Sequence, residues 1–401
     1  MDRYRWIVLG LGIFAQTAFS AVIQGLPAVG PALKQTYDLS LSQLGLVFAA
    51  LSVGAAITLI PWGLVTDRFG ERAAIFIGLT GCALALTVAS RVEGVAVFGV
   101  CFLAAGMFGG VTSVASGRAV MSWFAASERG TALGLRQTAV PIGGALGALV
   151  LPALVTASGI DAGLYVLAGS CALAALACGL WLRRRERSEE GGGPDVHPMR
   201  DARIWRLGAA ACLLVFSQIA FVSFVVVFLD EERDMSLAGA GLILGMAHVL
   251  GAVLRVVVGK WSDRLGHRVQ PLRKLTIAMV ALWVAVALLF ELSQSVFLPL
   301  LVSAGALSIS WNGLAFTATA EFAGTRRSGT ALGLQQTVIF TGAAIVTPAF
   351  GALVEATDWR PSFATLALSP LFAWFVLRPL DDFDDEEPAR AFTDAPTVER
   401  D

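Results

Sequence analysis

Long apolar runs dominate this chain. Stretches such as Gly239 to Val258 and Leu275 to Leu292 contain almost no charge, and about twelve such runs follow one another along the 401 residues. A helix that crosses a bilayer needs about 20 apolar residues. Charged residues make up only 15% of the chain, against about 25% in a soluble domain. The sequence therefore excludes a soluble enzyme, a nucleic-acid-binding domain and a secreted disulfide scaffold, and it predicts an all-α membrane protein.

The apolar runs divide into twelve predicted transmembrane helices, called spans 1 to 12, with six in each half of the chain. Residues 1–183 are expected to form an N-terminal six-helix bundle, and residues 207–378 a C-terminal one. The expected bounds of the spans, in order, are Trp6–Leu26, Leu44–Val65, Ala73–Val92, Val95–Ala119, Thr131–Ala153, Gly163–Leu182, Leu207–Leu229, Gly239–Val258, Leu275–Leu292, Val296–Thr319, Thr330–Val354 and Phe363–Leu377.

Two polar segments lie outside the predicted bundles. Residues 184–206 combine arginines, glutamates and a Gly-Gly-Gly-Pro stretch, a composition typical of a flexible linker. Residues 379–401 are rich in Asp and Glu and are expected to form a disordered tail. An even number of spans places both termini on one side, and most of the 29 Lys and Arg residues fall on that side. Because positive loops stay inside, the termini, the linker and the tail are predicted to be cytoplasmic.

Two motifs of the first half recur in the second half. Gly130–Thr138 (GTALGLRQT) returns as Gly329–Thr337 (GTALGLQQT), at the start of spans 5 and 11. Gly63–Arg72 returns as Gly259–Arg268, after spans 2 and 8. Matches at equivalent places indicate two repeated six-span halves, an architecture found in a large class of transporters.

The second motif resembles a family signature. Its pattern Gly-x-x-x-Asp-Arg-x-Gly-x-Arg is similar to the loop between spans 2 and 3 of the major facilitator superfamily. The resemblance covers the region from about Trp6 to Leu377. It implies two pseudo-symmetric six-helix bundles around a central cavity, which work by alternating access. The matching residues are Gly63, Asp67, Arg68, Gly70 and Arg72 in the first copy, and Gly259, Asp263, Arg264, Gly266 and Arg268 in the second.

These ten residues are predicted to form a conformational latch. Gly63 and Gly259 are expected to permit close helix contact. Asp67 and Asp263 are expected to face the N-terminal ends of spans 11 and 5, where the helix dipole stabilises a carboxylate by about 0.3–2 kcal/mol. In the family this contact is implied to hold the two halves in the outward-facing state. The alternative is that Asp67 and Arg68 are loop charges that only set the topology.

The arginines Arg118, Arg136 and Arg255 lie inside predicted spans, and no Asp or Glu lies at a comparable depth. A cavity lined by positive charge attracts anions. Arg255, with its spacing to Gly259 and Asp263, resembles span 8 of the monocarboxylate transporters and of the oxalate–formate antiporter group. In those relatives the arginine is implied to bind the substrate carboxylate, a task that suits a bidentate guanidinium. The alternative is that Arg255 and Arg136 snorkel to the cytoplasmic interface.

Further polar residues are candidates for the substrate site. His248 lies two helical turns before Arg255 on the same face of span 8, where it fits either proton or anion binding; a lone helix histidine is more often a packing residue. Several amide side chains lie in spans that are expected to line a central cavity, and they fit helix-to-helix hydrogen bonds equally well. The predicted substrate-binding residues are Arg255, His248, Arg136, Gln137, Gln336, Gln16, Gln218 and Asn312.

The sequence thus predicts a secondary transporter that moves a small, monocarboxylate-like anion across the bacterial inner membrane. Proton symport is the expected coupling, and anion exchange and facilitated diffusion are the alternatives. One rival is a drug or metabolite exporter. Pro141–Gly144 faintly resembles a motif of drug–proton antiporters, but Val140 replaces a glycine of that motif and the spacing is one residue short, which weakens this alternative. Another is a membrane sensor that does not transport. The chain has no nucleotide-binding motif, and its five cysteines lie in apolar runs, so we expect no ATP, metal or other cofactor. The expected partners are the solute, a proton and lipid, with no nucleic acid, and the protein is expected to be a monomer and not an enzyme.

Overall fold

The structure is a computed structural model that describes residues 3–124, 126–183 and 200–380. In these ranges the chain forms helices and short turns, and none of the described residues lies in a β-strand. The prediction of an all-α fold is therefore confirmed. Most of the predicted linker, and the predicted tail from residue 381 onward, lie outside the described residues.

Eleven helical segments in the described ranges are long and apolar enough to cross a membrane. One of them, Thr131–Trp181, has 51 residues, and at about 1.5 Å per residue it is more than twice as long as a bilayer core of about 30 Å is thick. It breaks at Gly159, whose φ of 83° lies in the left-handed region, so it supplies both span 5 and span 6. The other spans, in order, are Tyr4–Tyr37, Leu41–Phe69, Glu71–Ala89, Val95–Trp123, Ala202–Arg233, Leu237–Leu265, Val269–Leu288, Gln294–Ala323, Gly329–Ala356 and Trp359–Leu380.

Several helices extend beyond their predicted spans. Span 2 continues to Phe69 and span 8 to Leu265 because the polar residues at their ends keep helical backbone hydrogen bonds outside the apolar layer. Both helices stop where a glycine takes a positive φ, 85° at Gly70 and 71° at Gly266. The signature motif therefore forms the last turns of a helix and its glycine stop, and only its final residues are a loop. Span 7 begins at Ala202, inside the region predicted as linker.

Spans 2 and 11 bring the two halves together at one end of the bundle. We call the end where span 1 begins the near end, and the opposite end the far end. At the far end, a Cβ atom added at Gly45 would overlap the backbone of Thr347, and one added at Gly351 would overlap the backbone of Leu41. Small residues let membrane helices approach closely, and here the two backbones are in direct contact.

Spans 5 and 8 make the second contact between the halves. A Cβ atom added at Gly241 would lie 2.6 Å from the carbonyl oxygen of Ala148, and one at Gly245 would lie 2.8 Å from the side chain of Leu149. An ion pair between Lys34 and Glu231 joins the halves at the same end. The far end is therefore closed.

The near-end glycines of the same helices are not packed in this way. A Cβ atom added at Gly63, Gly134, Gly259 or Gly333 would meet no atom within 4 Å. The close helix contact expected at Gly63 and Gly259 is therefore absent in this conformation. The structure joins its halves at the far end and leaves these near-end positions uncovered.

A buried arginine network as the candidate functional site

Arg255 lies at the junction of the two halves, where span 8 meets span 5. Its guanidinium donates from one terminal nitrogen to the carbonyl of Gln137 at 2.6 Å and from the other to the carbonyl of Ile309 at 2.7 Å. The side chain is only 5% exposed, so it does not snorkel to the end of the bundle in this structure. Because span 8 continues to Leu265, Arg255 lies deeper than the predicted helix end at Val258 implied.

One hydrogen-bond donor of Arg255 has no partner. Its Nε is buried and has no hydrogen-bond partner. Gly313 of span 10 lies against the stem of the side chain, since a Cβ atom there would be 3.0 Å from the Cγ of Arg255. A buried polar group without a partner costs free energy, and the hydrogen-bonding capacity of this Nε–H is unused in this conformation.

Arg136 is enclosed by the first half alone. Its Nε donates to Ser116 Oγ at 2.9 Å, and its terminal nitrogens donate to Gln137 Oε1 at 3.2 Å and Gln16 Oε1 at 2.8 Å. Two backbone carbonyls of span 4 accept further hydrogen bonds at 3.0 and 3.2 Å. The side chain is 2% exposed. Arg136 therefore ties spans 1, 4 and 5 together and has little donor capacity left for a ligand.

Gln137 connects the two arginines. Its side-chain oxygen accepts from Arg136, and its backbone carbonyl accepts from Arg255 of the other half. A movement of span 8 away from span 5 must break the second of these bonds. The network therefore links the local structure of the first half to the relative position of the halves.

Neither guanidinium has a counter-ion among the described residues. No ion pair there includes Arg136 or Arg255. Desolvating a charge costs several kcal/mol unless another charge compensates it. Both positive charges are therefore buried without a compensating carboxylate among the described residues.

His248 packs against span 5 at a glycine. A Cβ atom added at Gly144 would lie 2.5 Å from the Cε1 atom of the imidazole. The histidine is fully buried, and neither ring nitrogen has a hydrogen-bond partner. The ring therefore fills the space that the missing side chain of Gly144 leaves, and its polar atoms remain unused in this conformation.

The remaining predicted site residues are not brought into the network. Gln218 Oε1 accepts a hydrogen bond from Asn312 Nδ2 at 2.9 Å, so these two join spans 7 and 10 within the second half. Gln336 is half-buried, while its neighbour Gln335 donates to the carbonyl of Ala315 at 3.2 Å. The network thus unites Arg255, Arg136, Gln137 and Gln16, and it leaves the other amides outside.

Sequence reasoning missed the partners on span 4. Ser116 and Thr112 lie one turn apart, and the Ser116 hydroxyl and the Thr112 carbonyl both accept from Arg136. Two small hydroxyl residues at this spacing share one helix face, which is a weak but readable signal. The backbone carbonyls that hold Arg255 carry no such signal.

The first signature aspartate pairs within its own half. Asp67 forms an ion pair with Arg118 of span 4, and Arg118 also lies 3.1 Å from Glu71. The side chain of Asp67 is largely exposed, and Arg68 and Arg72 are exposed as well. The predicted contact of Asp67 with the start of span 11 is not formed in this conformation, because Asp67 is held by span 4 instead.

The second signature aspartate also stays in its own half. Asp263 pairs with Arg268, and Arg268 pairs in turn with Glu321 of span 10 at 2.9 Å. Burial alone would lower the pKa of Arg268, but the hydrogen bonds and charges of Glu321 and Asp263 outweigh it and raise the pKa above its ordinary value. The predicted contact with the start of span 5 is likewise not formed here, and Arg264 is exposed.

Twelve helices in two repeated six-span halves define a multi-pass membrane protein of the transporter class. The family model of the Major Facilitator Superfamily matches residues 8–347, and the chain belongs to this family. The resemblance proposed from the signature motif is thereby confirmed.

Three relatives illustrate the range of the similarity. An uncharacterized MFS-type transporter, Rv2994 of Mycobacterium tuberculosis, is 34% identical over 92% of this chain and 84% of its own length. A probable sulfoacetate transporter, SauU of Cupriavidus necator, is 25% identical over 91% of this chain and 93% of its own. The membrane sensor protein UhpC of Salmonella typhimurium is 23% identical over 93% and 89%.

A solved structure with the same fold is that of a bacterial homolog of the human lysosomal transporter Spinster, in an inward-facing and unoccupied conformation. It superposes with a TM-score of 0.76 over 94% of this chain and 98% of its own, at 15% identity. This likeness concerns the fold.

Proposed function

We propose that this protein is a secondary transporter that moves a small anion, of the monocarboxylate type, across the inner membrane by alternating access. The observation that supports this most directly is Arg255. It is a buried cation at the junction of the halves, without a counter-ion among the described residues and with a buried N–H that has no partner. An anion bound there would compensate the charge and use the open donor. One relative is named a probable sulfoacetate transporter, and sulfoacetate is an anion.

Alternating access is supported by the asymmetry between the two ends. The helices are in backbone contact at the far end, while glycines of the signature helices are uncovered at the near end. If the near end is cytoplasmic, as the distribution of Lys and Arg predicts, this conformation is the inward-facing one. The opposite conformation would open the far-end contacts and bring the near-end glycines together.

Ligand-dependent stabilisation tests the proposal. The full-length protein in detergent is heated with acetate, pyruvate, sulfoacetate or phosphate, and in parallel with tetraphenylphosphonium and a neutral sugar. A ligand at about 100 times its Kd stabilises the folded state by about 2.7 kcal/mol, so a small carboxylate or sulfonate should raise the melting temperature. Stabilisation by the cation alone would favour the exporter. Uptake of the bound anion into proteoliposomes then separates a transporter from a sensor, which binds without moving its ligand.

The signature aspartates provide a prediction on the rate of transport. Asp67 is exposed and pairs with Arg118 here, and an exposed pair contributes only about 0–1 kcal/mol. Its predicted contact with span 11 belongs to the opposite conformation. Asp67→Asn, and equally Asp263→Asn, should therefore slow uptake several-fold while leaving affinity unchanged. Uptake and equilibrium binding are measured on the same variants, with Glu93→Gln in a far-end loop as control. Turnover at the wild-type rate in both aspartate variants would contradict the latch.

His248 is proposed to carry the coupled proton. An imidazolium in its present position would be buried without a partner, which is unfavourable, so proton uptake is expected when span 8 leaves Gly144. Transport by the wild-type protein should depend on pH around the range in which a histidine titrates, about 6.5 when unperturbed. His248→Gln should flatten that dependence in proteoliposome uptake measured from pH 5 to 8. A variant with the wild-type profile would make the residue a packing residue only.

A further inference from the structure

Span 2 begins with an N-cap that leaves two backbone amides without an acceptor in the same helix. Ser40 is the N-cap residue: its Oγ accepts from the Gln43 amide at 3.3 Å, and Gln43 Oε1 accepts from the Ser40 amide at 2.9 Å. The amide of Leu44 makes the first bond of the helix, to the Ser40 carbonyl at 2.9 Å. The amides of Leu41 and Ser42 therefore have no acceptor inside their own helix.

The other half of the molecule supplies the missing acceptor. Glu355 lies at the far end of span 11, and its Oε1 accepts from the Ser42 amide at 2.9 Å. The amide of Leu41 and the hydroxyls of Ser40 and Ser42 lie near this carboxylate as well. A carboxylate at this position gains both from the free N–H groups and from the helix dipole.

The backbone contact between the two helices makes this reach possible. Gly351 lies one turn before Glu355, and a Cβ atom there would overlap the backbone of Leu41. A larger residue at position 351 would push span 11 away from the start of span 2. Gly351 and Glu355 thus act together. Gly351 brings span 11 into contact with the start of span 2, and Glu355 caps the start of span 2.

We propose that Glu355 is a clasp of the far end, whose contact with the start of span 2 stabilises the far-closed conformation and breaks when the far end opens. This inference rests on the alternating access of the proposed function. The contact of Glu355 with span 2, formed when the far end is closed, is of the same type as the contact that the sequence predicts for Asp67 and Asp263 at the near end. In both, a carboxylate lies at the N-terminal end of a helix. A carboxylate of one half would then cap a helix of the other half in each of the two conformations.

The test measures the conformational equilibrium directly, without any ligand. Spin labels are attached to Glu93→Cys in the first half and Leu292→Cys in the second, both exposed in far-end loops. Cys212 is replaced by serine, because the other four cysteines are buried. Distances are recorded by pulsed electron paramagnetic resonance in nanodiscs. Glu355→Gln and Glu355→Ala are compared with Asp161→Asn, which removes an exposed carboxylate at the same end.

The expected result is a shift toward the longer distance in both Glu355 variants, by about threefold to tenfold in the ratio of open to closed populations. Asp161→Asn should match the wild-type distribution. An unchanged distribution in Glu355→Ala overturns the clasp. A failure of the proposed function is distinguishable, because it appears as the absence of anion binding and uptake in the wild-type protein, whatever the distances in the Glu355 variants.

Discussion

Replacing Arg255 with alanine is expected to lower the affinity for the transported anion by about 100-fold or more. Truncating one partner of a buried charge pair costs about 2–5 kcal/mol, and no carboxylate or second cation in the described part of the chain contacts this guanidinium to take over its role. Arg255→Lys should keep the charge but lose the planar fork, with a loss of affinity of about tenfold. Binding is measured by calorimetry on both variants.

Lys260→Ala is the matched control for Arg255. It removes a positive charge from the same helix at an exposed position, and its affinity for the anion should be that of the wild type. A folded Arg255→Ala protein that binds the anion almost normally would contradict the anion site. The drug or metabolite exporter would then become the preferred function.

Replacing Arg136 with alanine is expected to destabilise the protein rather than to weaken binding. The change leaves Ser116, Gln16 and two span 4 carbonyls without their donor, and it removes most of a side chain that is buried. Large-to-small core substitutions cost about 2–5 kcal/mol, and unsatisfied buried acceptors add to this. The apparent melting temperature should fall by about 5 °C or more, while the anion affinity of the protein that remains folded stays within about threefold.

Two comparisons make the Arg136 result decisive. Arg72→Ala removes an exposed arginine of the same half and should leave the melting temperature unchanged. Arg136→Met fills the volume without a charge, so it separates the cost of the cavity from that of the lost hydrogen bonds. If Arg136→Ala keeps its stability but loses anion affinity, Arg136 is a ligand contact and the division of roles between the two arginines is wrong.

The signature motifs of the two halves pair with side chains of opposite charge on the neighbouring spans. In the first half, span 4 contributes the cation Arg118 to the acidic end of span 2. In the second half, span 10 contributes the anion Glu321, which pairs with Arg268 beyond the end of span 8. The repeated sequence motif therefore does not imply repeated ion pairs. The partners on spans 4 and 10 lie outside the motif and have diverged in sign.

The sequence by itself determined the class of fold, the repeat and the family. Spans are recognised because a bilayer requires about 20 apolar residues in each helix, which is a property of a local window. The segment Thr131–Trp181 is long enough for two spans, and the sequence predicts two. The structure agrees, because the helix is interrupted at Gly159, whose φ is positive. The signature motif is equally local, since Gly70 and Gly266 stop their helices within the motif itself.

The tertiary structure alone decided which polar groups meet. Arg255 is held by backbone carbonyls of Gln137 and Ile309, and a carbonyl is present in every residue, so no side-chain pattern marks it as an acceptor. The residues of the predicted latch follow from a local motif, but their partners depend on which end of the bundle is closed. Glu355 was not recognised at all, because the amides that it caps belong to a helix of the other half. Contacts between the halves follow from their relative position, and that position is set by backbone packing at glycines such as Gly45 and Gly351 and not by any local pattern of residues.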